Sequence, residues 1–174
     1  MNINQDVIAY WVTMAFSNFE LTMFIVAVIF IIIHLLINRK RLSTAEIIYR
    51  WTAFFALGLT GFFTFVMHAI YPDMTAANIG WQPSPFQYEV AIADLGFGLL
   101  AFLSVKASYG FRLATVIGIA CWLWGNAIGH IHQMIQNNGF TSGNAASWFW
   151  MDILLPIIII ICIMKLKPKS YMTI

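Results

Sequence analysis

The sequence predicts an all-α membrane protein: a bundle of five transmembrane helices with the N-terminus outside the membrane and the C-terminus inside. Of the 174 residues, 61% are hydrophobic and only 9% are charged, and the mean hydropathy is +0.81. A soluble domain of this size needs more polar surface than this composition supplies. Five apolar stretches come near the ~20 residues that cross a bilayer. Together they make one integral membrane domain over residues 1–174, with predicted spans at about 7–38, 44–70, 85–105, 112–136 and 146–166.

The first two helices are bounded by local signals. The first helix is predicted from about Val7 to Ile37, longer than one span requires, so its first part projects outward or lies along the outer interface. No basic segment or cleavage site precedes it, and we interpret it as a retained helix rather than a signal peptide. Ser43–Glu46 is a capping box that begins the second helix at Thr44. Glu46 also forms a favourable i,i+4 pair with Arg50.

Similar signals delimit the later helices. Ser84–Gln87 is a second capping box with Pro85 at the first helical position, so the third helix is predicted to start there. Gly110 lies in the tight turn predicted before the fourth helix. Trp148 marks the outer interface of the fifth helix, and Pro156 is expected to kink it.

The basic residues predict the orientation of every helix. All nine Lys and Arg residues fall at alternate ends of the apolar stretches, in three clusters: Arg39, Lys40, Arg41 and Arg50; Lys106 and Arg112; and Lys165, Lys167 and Lys169. Because Lys and Arg favour the cytoplasmic side, these clusters are predicted to lie inside. The net charge of +2 therefore reflects topology, and no basic face suited to nucleic acid remains.

Polar side chains fall in the outward half of this arrangement, where ionisable groups are costly and usually functional. Several recur at helical spacing, so they share a face and are expected to converge inside the bundle. These are Thr13, Ser17 and Glu20 on helix 1; Thr60, Thr64 and His68 on helix 2; and Asn126, His130, Gln133 and Asn137 on helix 4. Glu89 and Asp94 on helix 3 are about 140° apart around the helix and are expected to face different neighbours.

This set of side chains suits a metal or proton site. Glu and His side chains from facing helices are typical ligands of metal sites in helical bundles. We predict a divalent transition metal, with Zn, Mn, Fe and Cu not distinguished, and four candidate ligands: Glu20, His68, Glu89 and His130. A second group is expected to orient the ligands or carry protons: Asp94, Asn126, His132, Gln133 and Asp152. No Glu-x-x-His or His-x-x-x-His motif accompanies them, and haem is not expected so near the outer surface.

Asp94 and Asp152 carry the strongest argument, because no Lys or Arg is expected in the outer half. Each needs a histidine partner, a bound cation or a retained proton. The other groups also have structural explanations. The helix dipole stabilises Glu89 near the start of helix 3, and His68 and His132 lie near helix ends at the interface.

Two glycine pairs predict close helix packing. Gly125 and Gly129 form a small-xxx-small pair beside the polar stripe of helix 4, and Gly58 and Gly61 are expected to act likewise on helix 2. Both pairs are predicted to let a neighbouring helix approach.

The segment from Gly80 to Gly98 resembles a known family. Its sequences GWQPSPFQYE (80–89) and ADLGFG (93–98) are similar to the signature stretch of small bacterial integral membrane proteins of unassigned function. The resemblance implies a prokaryotic cytoplasmic (inner) membrane location. It also makes Gln87, Glu89 and Asp94 family features without implying any activity.

Three functions stay open. The first is a membrane protein whose outward-facing carboxylate and histidine site binds a divalent metal for transport, sensing or redox chemistry. The second is a non-catalytic accessory protein whose polar residues make interhelical hydrogen bonds. The third is a proton-coupled permease for a small solute, which at this size is expected to dimerise. Enzymatic activity is left open, and the expected partners are the lipid bilayer and a second copy or another membrane protein.

Overall fold

The computed structural model describes residues 3–37 and 41–166, and in these two ranges the chain is mostly helical and contains no β-strand. Among the described residues nine α-helices follow one another: α1 (Ile3–Ser17), α2 (Phe19–Ile37), α3 (Thr44–Trp51), α4 (Thr60–Ile70), α5 (Pro72–Ile79), α6 (Phe86–Ser104), α7 (Tyr109–Asn137), α8 (Ser142–Ala145) and α9 (Ser147–Lys165). A π-helical segment, Thr52–Leu59, joins α3 to α4 without a break.

Five of these helical stretches are long and apolar enough to cross a membrane, which confirms the predicted five-helix membrane fold. They are Phe19–Ile37, Thr44–Ile70, Phe86–Ser104, Tyr109–Gln136 and Ser142–Lys165. Many large apolar side chains point away from the bundle, as a lipid environment requires. The inside–outside orientation stays a prediction, and Arg39, Lys40, Lys167 and Lys169, which contribute to it, lie outside the described residues.

The two ends of the bundle differ in composition. The end that holds Arg41, Arg50, Lys106, Arg112 and Lys165 is called the basic end below. The opposite end, called the loop end, is covered by the short helices α5 and α8. The apolar core lies in the basic half, where α3, α6, α7 and α9 pack around a set of buried side chains: Tyr49, Ala53, Ala101, Leu155, Ile159 and Ile163.

The helix starts follow their capping residues. The Ser43 hydroxyl accepts the Glu46 backbone N–H at 3.2 Å, so α3 begins at Thr44 as predicted. The second capping box is only half formed: the Ser84 hydroxyl accepts the Phe86 N–H at 3.3 Å, and α6 begins at Phe86. The Gln87 amide donates instead to the Pro72 carbonyl at 2.8 Å, which ties the start of α6 to α5.

The fourth span begins earlier than predicted. The Ser108 hydroxyl accepts the Phe111 N–H at 3.4 Å and caps α7, which starts at Tyr109 rather than near residue 112. Gly110 therefore lies in the first helical turn and not in the connecting turn. Pro156 lies inside α9, which continues through it as one helix.

The second and third spans approach each other closely at glycine, as predicted for Gly58 and Gly61. A Cβ atom added at Gly61 would lie 2.8 Å from the Asp94 carbonyl oxygen and 2.9 Å from the Gly98 Cα atom. The prediction for Gly125 and Gly129 is wrong, because an added Cβ atom at either position meets no atom within 4 Å. Those two glycines border open space rather than another helix.

A buried ion-pair cluster fixes the basic end. Arg112, which is 6% exposed, donates through its guanidinium to both carboxylate oxygens of Glu46 at 2.6 and 2.9 Å. It also donates to the carbonyls of Ser104 and Val105. Arg50 pairs with Glu46 as predicted. The cluster joins α3 to the end of α6 and the start of α7, with its central charges paired.

Candidate functional site

A cavity of about 700 Å³ lies between the helices in the half of the bundle next to the loop end. Side chains from all five spans line it. Thr13, Asn78 and Trp81 are exposed at the surface and also line the cavity, so it opens at the loop end. The cavity is therefore a pocket inside the bundle with an entrance, rather than a sealed packing defect.

Hydrogen bonds between distant segments frame the entrance. The Ser147 hydroxyl donates to the Asn18 side-chain oxygen at 2.7 Å, and the Trp148 indole donates to the Ser17 carbonyl at 3.1 Å. These two bonds join the α1–α2 junction to the start of α9. On the other side, the Thr141 hydroxyl donates to the Ile79 carbonyl at 2.6 Å and so fastens the segment before α8 to α5.

Three buried carboxyl groups face this cavity. Glu20, Asp94 and Asp152 are 3%, 9% and 6% exposed and come from α2, α6 and α9. Because all three line the same cavity, their charges repel one another when ionised in a medium of low dielectric constant. Among the described residues that line the cavity, none is Lys or Arg. The negative charge is therefore not balanced by a Lys or Arg side chain of the lining, and the basic groups that face it are the histidines His68 and His130.

Asp94 is held by an aromatic pair. The Trp122 indole N–H donates to Asp94 Oδ1 at 2.9 Å, and its ring stacks on Phe97 with 5.5 Å between centroids. Because Gly61 has no side chain, α4 packs directly against the backbone of Asp94. Both the backbone and one carboxylate oxygen of Asp94 are thus fixed, while the side chain remains in the cavity wall.

His130 is oriented by Asn144, which is fully buried. The Asn144 amide nitrogen donates to the carbonyls of Gly139 and His130, which turns its oxygen toward His130 Nδ1 at 2.6 Å. Because an amide oxygen only accepts, Nδ1 must carry the proton. In neutral His130 the unprotonated nitrogen is then Nε2, which lies 3.6 Å from Asp152 Oδ2.

Other polar atoms in the wall lack partners. Glu20 Oε2, Thr60 Oγ1 and His68 Nδ1 are buried and make no hydrogen bond in the part of the chain that the structure describes. Buried polar atoms of native proteins are nearly always hydrogen-bonded to protein or water. Three such atoms along one cavity wall are typical of a site that is completed by water or a ligand.

The predicted site residues divide into two groups. Glu20, His68, Asp94, Asn126, His130 and Asp152 line the cavity, as do Thr13, Ser17, Thr60 and Thr64. Glu89 and His132 are exposed and, like the half-buried Gln133, do not line it. Glu89 is separated from Asp94 because the two residues face different sides of α6. The Asn137 side chain lies outside the described residues.

The four predicted metal ligands are not assembled around one point. Within ranges 3–37 and 41–166, no group of three or more His, Cys, Asp or Glu side chains could hold a metal ion together. One predicted ligand, His130, places its Nε2 atom 3.6 Å from Asp152 Oδ2.

Two residues of the site were missed by the sequence reasoning. Asn144 lies in the short helix α8, in a small and polar stretch of sequence, and no local signal connects it with His130, fourteen residues earlier. Trp122 stacks on Phe97 in the middle of the fourth span. Its indole N–H in the middle of a span needed an acceptor, and Asp94 needed a donor, so these two requirements could have been matched.

Comparison with known proteins adds a family but no activity. No curated protein and no solved structure matches the chain. Residues 17–170 match the family described as "Family of unknown function (DUF6790)". This range includes all five spans and every carboxyl group of the cavity, and it confirms the predicted resemblance to small multi-helix proteins of unassigned function. The chain belongs to this family.

Proposed function

We propose that this multi-pass membrane protein binds a cation in its cavity, in exchange with protons, and thereby transports or senses that cation. The observation that carries the proposal is the set of three buried carboxyl groups, Glu20, Asp94 and Asp152, in a lining without Lys or Arg among the described residues. The positive-inside rule supports an orientation with the loop end outside. The family resemblance supports the cytoplasmic membrane of a prokaryote as its location.

The proton exchange follows from electrostatics. Neighbouring carboxylates in a medium of low dielectric constant repel one another strongly, so each charge must be balanced by a proton or a cation. A cation that enters the cavity can replace such protons. His130 Nε2, directed toward Asp152, is an acceptor for a released proton.

Proton release from the purified protein tests this function. The protein in detergent, in a weakly buffered solution with a pH indicator, is titrated with Na⁺, Mn²⁺ and Zn²⁺ and with organic cations. At least one cation is expected to release protons in a saturable way. Glu20→Gln should reduce the release, whereas Glu89→Gln, an exposed carboxylate outside the cavity, should not. Absence of saturable release with every cation would overturn the proposal and favour the accessory role.

A divalent metal at His130 and Asp152 is a second candidate. Asn144 fixes the ring so that Nε2 faces the carboxylate, which is the arrangement of a metal-binding histidine oriented by a second hydrogen bond. Two protein ligands would leave the remaining positions to water. Elemental analysis of protein purified without added metal, and again after incubation with Zn, Mn, Fe and Cu, tests this candidate. Near-stoichiometric metal that is lost in His130→Ala would support it.

A further inference from the structure

We propose that the cation is organic, with one ammonium-like charge on a bulky apolar body. This inference rests on the proposed cation-binding function and specifies its substrate class. The cavity measures about 700 Å³, within the range of about 300–1,000 Å³ found for sites of small organic molecules. A metal ion or a proton alone would leave most of such a volume unfilled.

The lining has the composition that recognises such a molecule. Most of it is apolar, and it includes six aromatic side chains: Phe16, Phe63, Trp81, Phe97, Trp122 and Trp148. Aromatic faces attract cations through the ring quadrupole, most strongly when water is excluded. The same faces provide apolar area for the body of the ligand.

Charge and aromatic surface occur together at one position. Trp122 both donates to Asp94 and stacks on Phe97, so the carboxylate and the two rings form one fixed unit in the wall. Glu20 supplies a second carboxylate, which is 3% exposed and whose Oε2 atom makes no hydrogen bond within the described ranges. An ammonium group near these carboxylates would neutralise charge while its substituents contact the rings.

A neutral apolar occupant, such as a lipid acyl chain, would not provide hydrogen-bond or charge partners for the polar groups of the cavity wall. It would leave Glu20 Oε2, Thr60 Oγ1 and His68 Nδ1 without partners and the carboxyl groups without a counter-charge. Burying polar atoms in this way is unfavourable. The charge of the ligand is therefore expected to decide whether it binds.

Two glycines keep the cavity wide. Gly125 and Gly129 line it, and added Cβ atoms there meet no atom within 4 Å. A larger side chain at Gly125 would extend into free volume without disturbing a helix contact. A larger side chain at Gly125 therefore distinguishes two kinds of ligand. It should exclude a bulky cation from the cavity, while the carboxyl groups remain available to a small ion.

The test measures binding of radiolabelled tetraphenylphosphonium to the protein in detergent by equilibrium dialysis, with empty micelles as background. Its neutral analogue, triphenylphosphine oxide, is measured in parallel. Saturable binding of the cation and not of the neutral compound is expected. Asp94→Asn should weaken binding by about 30-fold or more, as expected for loss of a buried charge partner. Glu89→Gln, on the same helix but outside the cavity, should leave it unchanged.

Gly125→Leu provides an independent variant. It should abolish tetraphenylphosphonium binding while proton release by a small inorganic cation persists. Gly96→Leu is the matched control, because Gly96 is exposed, also borders open space and does not line the cavity. Each variant is accepted only if it elutes from a size-exclusion column as a single species at the position of the wild-type protein. The pair therefore separates a filled cavity from a misfolded protein.

The outcomes distinguish this inference from the function it rests on. Saturable proton release by an inorganic cation, together with no tetraphenylphosphonium binding, would overturn the organic ligand and retain the cation site. Equal binding of the cationic and neutral compounds would also overturn it, because the site would then recognise apolar area alone. Absence of both cation binding and proton release would overturn both proposals.

Discussion

The basic end and the cavity differ in how a carboxylate charge is neutralised. At the basic end, Glu46 receives two hydrogen bonds from Arg112 and pairs with Arg50, so its charge is matched by side chains of the protein. In the cavity, Glu20 lies deeper than Glu46 and receives no basic partner among the described residues. A charge matched within the chain holds helices together, whereas an unmatched one requires something exchangeable. The basic end is therefore held by ion pairs within the chain, whereas the cavity is the region for which we propose binding.

The largest effect is expected from breaking the matched end. Arg112→Ala leaves the half-buried Glu46 carboxylate with Arg50 alone and removes the donor of the Ser104 and Val105 carbonyls, so it should lower the free energy of unfolding by about 3 kcal/mol. Thermal unfolding in detergent, followed by the loss of helical circular dichroism, measures this. Lys106→Ala, an exposed basic residue at the same end, is the control. Equal stability of the two variants would contradict a structural role for the cluster.

An intermediate effect is expected from two glycines that differ in surroundings. Gly61→Ala places a Cβ atom 2.8 Å from the Asp94 carbonyl and should destabilise the protein by about 1–3 kcal/mol. Gly125→Ala meets no atom within 4 Å and gains helix propensity, so stability should stay equal or rise by up to about 1 kcal/mol. The same unfolding measurement compares them. A larger loss at Gly125 would show that the open wall is a helix contact.

The smallest effect on stability, with the opposite sign, is expected in the cavity. Glu20→Gln removes one of three mutually repelling charges and should leave the free energy of unfolding unchanged or raise it by up to about 2 kcal/mol. Cation-dependent proton release should nevertheless fall. Unfolding at alkaline pH, where more of the carboxyl groups are ionised and their charges repel, measures the first effect. A marked loss of stability would make Glu20 a structural residue and would remove the contrast between the two ends.

Features encoded by neighbouring residues were predictable. The five spans follow from continuous apolar stretches, and the start of α3 follows from Ser43 and Glu46. Helical spacing also indicated that Thr60, Thr64 and His68 share a face, and they line one cavity. These predictions need only the period of a helix and the thickness of a bilayer.

Features that depend on which helices meet were not predictable. Gly58 and Gly125 stand in similar local sequences of small and aromatic residues, yet one contacts Phe102 and the other borders open space. Depth alone suggested that Glu89 belongs to the site, but its direction around α6 turns it outward. Asn144 reaches His130 only because α8 folds back over the end of α7. Each of these outcomes is decided by tertiary contacts.

The bonds from Ser147 and Trp148 to the α1–α2 junction have a consequence for biogenesis. They join residues 129 and 131 positions apart, so the cavity wall cannot be complete until the fifth span has been synthesised and inserted. The first span must therefore enter the bilayer with Glu20 before Asp152 exists. The most apolar stretch of that span has a mean hydropathy of 2.7, the highest of the five spans. This favours insertion of the first span without help from its later neighbours.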